Sequence, residues 1–399
     1  MKKLLNKKFL IAVIVIAALI GSVVAVDAIE HKSNKPTEAV AVSSGSEIQT
    51  TEQIYRSLYS RSRWLSDLMI LSGKADPSEN PTAQSIADQA KNCGILSRYG
   101  DEDLSVPLDR RFVARTMVRA LGYKNRSAGY LADVSALDSD LATMAYYGYF
   151  LPDINFMMHP DALVTPSEYE ALLKELKRYD LLAGKTILSF GDSIMYGAGN
   201  GGEGIADMLA EKYGMTAADY AVSGATMGIR DGRVHIRDQL SAALADKVQP
   251  DVILLNGGTN DMNWLELGEI GAGFDMSQRD ETDFTGGMEK TLWSIKNTWK
   301  NVPVIFIRAH NMKWGDDLKE RLFGQQALQV AVKWGAKTVD MYSLMNTEDP
   351  DTSNRYTFIN SDTEYLSDSI HPIAVGYAKF YLPAVTEKLV NVTETRNRL

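Results

Sequence analysis

The sequence predicts an α/β fold, a parallel sheet with helices on both faces, in the second half of a 399-residue chain. Three observations carry this. From Lys185 onward strand-like and helix-like segments alternate at regular spacing. The first four strand-like runs each end in a polar or Gly-rich cluster, so these clusters converge on one edge of the sheet. One of them, Gly191-Asp192-Ser193, delivers a serine into a strand-to-helix turn, where unpaired backbone N–H groups offer donors to developing negative charge.

Taken in order, the first strand spans 185–190 and a helix follows over 204–213. The second strand is Asp219 to Val222, ending in Ser223-Gly224-Ala225-Thr226, with a helix near 234–246. The third, Asp251 to Leu255, runs into Asn256-Gly257-Gly258-Thr259-Asn260-Asp261. A polar insertion over about 263–287 precedes a helix at 288–299. Val302 to Arg308 makes the fourth strand, followed by a helix at 316–333, a fifth strand over 337–341 and a closing helix over 374–390.

Composition bounds the function. The chain is 45% hydrophobic and 23% charged, an ordinary globular balance with room for two domains. A net charge of -9 opposes a nucleic-acid footprint. Cys93 is the only cysteine, so no intramolecular disulfide forms. No Cys/His cluster has zinc spacing, and neither a metal nor an organic cofactor is expected.

Residues 1–50 read as a delivery device. Lys2, Lys3, Lys7 and Lys8 precede a charge-free, largely apolar run from Phe9 to Val26, about the minimum length to span a bilayer. Residues 1–28 are read as a signal anchor, with Val23-Val24-Ala25 as the cleavage site of the alternative, a signal peptide. Either form places the bulk of the protein outside the cytoplasmic membrane, which makes the membrane a partner only through this helix. Residues 29–50, with Ser43-Ser44-Gly45-Ser46, show no apolar period and form a linker.

Residues 51–180 read as short helices containing a loose repeat: a Gly-stopped helix, a loop, and a second amphipathic helix, at 87–121 and again at 141–173. Leu131-Ala132-Asp133-Val134, Gly148, the 156–160 segment and Val164-Thr165-Pro166-Ser167-Glu168 resemble S-layer homology repeats. That resemblance implies binding to a polymer of the bacterial cell wall, whereas the same helices without a ligand would make a spacer.

Ser193 needs a base that titrates near neutrality. His371, in Asp368-Ser369-Ile370-His371-Pro372, is the best candidate, and Asp368 three residues earlier is near enough to hold one ring nitrogen while the other faces Ser193. His310 competes, but no acidic residue lies close by in sequence, so it is read as lining the substrate site.

With Gly191-Asp192-Ser193, Gly224, Gly258-Thr259-Asn260-Asp261 and Asp368 with His371 in order, residues 181–399 resemble the SGNH hydrolases of the GDSL esterase/lipase superfamily. The resemblance implies a flavodoxin-like three-layer α/β/α fold on a five-stranded parallel sheet. It implies Ser193 as nucleophile, His371 as general base oriented by Asp368, and an oxyanion hole from the Ser193 and Gly224 backbone N–H groups and the Asn260 amide. Asp192 and Asp261 are read as braces of their turns. The expected activity is hydrolysis of carboxylic esters through an acyl-enzyme, on short acyl groups of carbohydrate at the cell surface. Two alternatives stay open: O-acyl transfer on the same triad, and wall binding by a protein whose hydrolase domain is inactive.

Overall fold

A computed structural model describes residues 59–398, apart from 80, 100–101, 128–130, 136–137, 154, 313–316, 346–365 and 369. The expected membrane helix and linker lie outside the described residues. Among the described residues no helix is long and apolar enough to cross a membrane.

The five strands are β1 (Thr186–Phe190), β2 (Thr216–Asp219), β3 (Val252–Asn256), β4 (Val304–Arg308) and β5 (Lys337–Asp340). They pair in parallel in the order β2-β1-β3-β4-β5. β3 and β4 are buried along their whole length, because helices cover both faces of a parallel sheet and leave no polar side. Alternate residues feed two cores. Ile187, Leu254 and Ile305 point to one, while Leu188, Ile253, Leu255 and Phe306 point to the other.

β2 begins and ends three residues before its expected span. Its pairing with β1 runs from Thr186↔Thr216 to Ser189↔Asp219 on a half-exposed edge that needs little apolar character. The more apolar Tyr220 to Val222 is the strand's exit, still bonded to β1 through Tyr220 N–H to Ser189 O and Val222 N–H to Gly191 O.

The helix before β4 starts at Phe284, not 288, and spans Phe284–Thr298. Gly286-Gly287 reads as a helix breaker in sequence. Here both glycines are helical because a side chain on either would strike backbone, Asp280 for Gly286 and Met227 for Gly287. Asp283 caps the first turn by accepting from Gly286 N–H. The polar insertion is correspondingly shorter. It is tied down by Glu289, a fully buried carboxylate that binds Arg279 and Lys333.

The closing helix runs further than expected, to Asn397, with a wide π turn at Tyr377–Tyr381 between Ala374–Gly376 and Leu382–Asn397. Pro383 supplies a cause: it has no N–H to offer, and its ring crowds the carbonyl four residues back.

The helical segment comprises Arg61–Leu71, Ala83–Asn92, Arg110–Leu121, Ser139–Tyr146 and Pro166–Leu182. Tyr55–Leu399 forms one compact unit, and the apolar core of these helices continues into the sheet layer. Polar contacts also cross between them. Tyr123 Oη donates to Lys212 O at 2.6 Å, and Arg126 pairs with Glu203 at 2.7 Å and with Glu211 at 2.5 Å.

Candidate active site

The strand order reverses between β1 and β3, and the crevice outside their carboxyl ends is where an open α/β sheet receives ligands. Ser193 follows β1 and Asn260 follows β3, so both are delivered to that crevice.

Ser193 opens a one-turn helix, Ser193–Tyr196, which Asp192 caps by accepting from Ile194 N–H at 3.0 Å. Asp192 is itself held at both ends. Its N–H donates to Asn256 Oδ1 at 3.0 Å, and Asn256 Nδ2 donates to Asp192 Oδ1 at 3.2 Å. Burial pushes the Asp192 carboxyl up, against the opposing hydrogen bonds from Ile194 and Asn256. Gly191 is clamped by Gln239, whose Oε1 accepts Gly191 N–H at 2.9 Å and whose Nε2 donates to Gly191 O at 2.8 Å. The turn that presents the serine is thus fixed from two sides.

The histidine arrives from the far end of the chain. His371 Nε2 lies 2.8 Å from Ser193 Oγ, and Nδ1 lies 2.7 Å from Asp368 Oδ2. Asp368 Oδ1 meanwhile accepts His371 N–H at 2.9 Å and Ile370 N–H at 3.2 Å, so one carboxylate shapes the loop and aims the ring. Partial burial raises the Asp368 carboxyl, but the hydrogen bonds from His371 and the neighbouring N–H groups outweigh it and hold it below the ordinary carboxylate value. With Nδ1–H on the carboxylate, Nε2 faces Oγ as a proton acceptor.

Gly224 sits at the third position of the Val222–Ala225 turn, closed by Ala225 N–H to Val222 O. Its φ of 82° is the left-handed value a type II turn requires there, and a β-carbon would be strained. Asn260 Nδ2 donates to Ala225 O at 3.0 Å, tying the amide to the residue beside Gly224. An amide nitrogen carries two hydrogens, so a second donor remains. Asp261 accepts Met227 N–H at 2.9 Å and Gly228 N–H at 3.0 Å, bracing the same loop. Burial pushes its carboxyl up to about 7.

His310 is 1% exposed and lines a cavity with Gly257, Gly258 and Thr259, the loop that leads to Asn260. The Tyr381 hydroxyl accepts His310 N–H at 3.2 Å and lies 2.7 Å from Nδ1, to which it donates in the neutral tautomer. The backbone of Ile370, beside His371, lies near the ring. Burial, with the nearby His371, pulls its pKa down to about 3, so it stays neutral and works as a brace.

Gln239 and Asn256 escaped the sequence reading. Gln239 had a signal: it shares a helical stripe with Ile236, Leu240 and Ala243, all buried, and a lone amide on an apolar stripe needs a polar partner. Among the described residues no group of His, Cys, Asp or Glu is arranged to hold a metal ion.

A doubly wound sheet that carries serine, histidine and aspartate in one hydrogen-bonded line at its switch point defines an SGNH-type serine hydrolase. Residues 189–379 match the model of the GDSL-like lipase/acylhydrolase family. No curated protein matches the chain. Among solved structures, the lipase/acylhydrolase from Enterococcus faecalis is 16% identical, with 52% of this chain and 96% of that one covered and a TM-score of 0.36. A psychrotrophic esterase from Pseudoalteromonas sp. is 16% identical, with 54% and 100% covered and a TM-score of 0.33. An extracellular lipase from Streptomyces rimosus is 16% identical, with 51% and 99% covered and a TM-score of 0.34.

Proposed function

We propose that the protein is an extracytoplasmic serine esterase that removes short acyl groups from carbohydrate. The observation that carries this reading is the line Asp368–His371–Ser193, with the Gly224 turn and Asn260 joined to each other through Ala225 O. Ser193 Oγ attacks the ester carbonyl as His371 Nε2 takes its proton. The Ser193 and Gly224 N–H groups and the Asn260 amide bear the oxyanion. His371 then protonates the departing alcohol, leaving an acyl-enzyme. Water, deprotonated by the same ring, releases the acid and restores Ser193. Asp368 holds the ring and stabilises the imidazolium.

The location rests on the basic, then apolar, N-terminal run, and the choice of short acyl groups on glycans rests on that location. The test is hydrolysis of nitrophenyl acetate, butyrate and octanoate by residues 51–399 beside Ser193→Ala and His371→Ala. Cleavage of the short esters, lost in both variants, is expected; equal rates in all three proteins would falsify the triad.

A further inference from the structure

The crevice has a charged wall that the acyl-transfer chemistry leaves unused. After the Gly224 turn the chain makes a loop whose neck is closed by Thr226 N–H to Val234 O at 3.0 Å and Ile236 N–H to Thr226 O at 3.0 Å. This return carries Arg233 back over Gly224: a β-carbon on Gly224 would lie 3.5 Å from Arg233 Nη1. Trp264, 44% exposed, ends the one-turn helix that follows Asn260. The Arg230 and Arg233 guanidinium carbons lie 4.7 and 4.6 Å from its ring centre. Arg230 is tied further, its Nη1 donating to Trp264 O at 2.5 Å and its N–H to His235 Nε2 at 3.0 Å.

Among the described residues no carboxylate lies within ion-pair reach of either arginine. Elsewhere the same chain pairs Arg61, Arg110, Arg126 and Arg279 with carboxylates. Stacking engages the flat face of a guanidinium and leaves its in-plane N–H donors for an acceptor. Two cations are thereby held over Trp264, with Arg233 Nη1 beside the Gly224 turn.

Resting on the esterase reading, we propose that the substrate is an ester carrying a carboxylate or phosphate close to the scissile carbonyl, and that Arg233, backed by Trp264 and Arg230, binds that anion. A charge-assisted pair of this kind is worth about tenfold or more in kcat/KM. The anion sits on either the acid or the alcohol side of the ester, and paired substrates distinguish these. For the acid side the pair is mono-nitrophenyl succinate against nitrophenyl butyrate. For the alcohol side it is acetylated polygalacturonate against acetylated xylan, read as acetate released.

The wild type is expected to favour the anionic member of one pair by about tenfold or more. That ratio falls towards one in Arg233→Gln and in high salt, and Arg233→Lys restores part of it by returning the charge. Hydrolysis of the neutral esters with no anionic preference in either pair overturns this inference and leaves the esterase reading standing. A preference that Arg233→Gln leaves intact also overturns it. Failure to hydrolyse any of the four esters removes both.

Discussion

His371 Nε2 and Ser193 Oγ meet at 2.8 Å although 178 residues separate them in the chain. The meeting is made by two independent anchors. One is the β1 turn, clamped by Gln239 and Asn256; the other is the histidine loop, shaped by Asp368, with His310 near Ile370. Each anchor makes a prediction of its own.

Asp368→Asn keeps the size of the side chain but removes the charge that selects the ring tautomer. The expected loss is about 10²- to 10⁴-fold in kcat with KM little changed. Steady-state kinetics on nitrophenyl acetate decide it, and wild-type kcat would exclude the orienting role. Because Asp368 is held below 3.8, it stays ionised at neutral pH and falls uncharged only below that value. The loss in the variant therefore persists across pH 5 to 8.

Gly199 lies against the carbonyls of the histidine loop, and a β-carbon there would sit 2.6 Å from both His371 O and Pro372 O. In Gly199→Ala the loop must move, carrying the ring away from Ser193. A displacement near 1 Å costs about 10²-fold in rate. Gly273→Ala is the control, since nothing lies within 4 Å of its added carbon. Equal kcat in the two variants would show that the contact does not set the ring position.

Gln239→Leu fills the same space but leaves Gly191 N–H buried without a partner, while Gly191 O keeps only Val222 N–H. The unpaired group costs about 1 to 3 kcal/mol. Denaturant unfolding should show a lower midpoint at unchanged slope, and kcat should fall with it as the serine turn loosens. A midpoint equal to that of the wild type would mean that water or backbone rearrangement replaces the clamp.

Asp261 gives the pH dependence. Its folded value of about 7 exceeds the ordinary 3.8, so its protonated form is the one the fold favours. The contribution is complete below 3.8 and is lost as pH rises to about 7, at up to about 1.4 kcal/mol per unit. Asp192 and Asp219, the latter pushed up to about 6 by burial, act with the same sign. Asp261→Asn cannot titrate, yet its carbonyl still accepts from Met227 and Gly228. Unfolding free energies measured from pH 4 to 8 should fall less steeply in the variant; parallel curves would show that the carboxyl does not titrate in that window.

The alternation of elements after Lys185 was legible because a parallel sheet covered on both faces needs strands apolar throughout, as β3 and β4 are. Edge strand β2 was displaced because an exposed edge has no such requirement. The start of the Phe284–Thr298 helix was hidden for a different reason. Gly286 and Gly287 weaken a helix locally, and only the backbones they face make them necessary.

By itself the sequence determined the residue types at the ends of the strands and, from their order, the family resemblance and the five residues proposed for the site. These signals are local: a short motif at a strand end keeps its meaning whatever surrounds it. The tertiary structure alone decided which distant groups support them. Gln239 on Gly191, Asn256 on Asp192, His310 near Ile370 and Arg233 over Gly224 are pairings across the fold. No spacing in a single chain encodes such a pair, because its geometry is set by how helices pack on the two faces of the sheet.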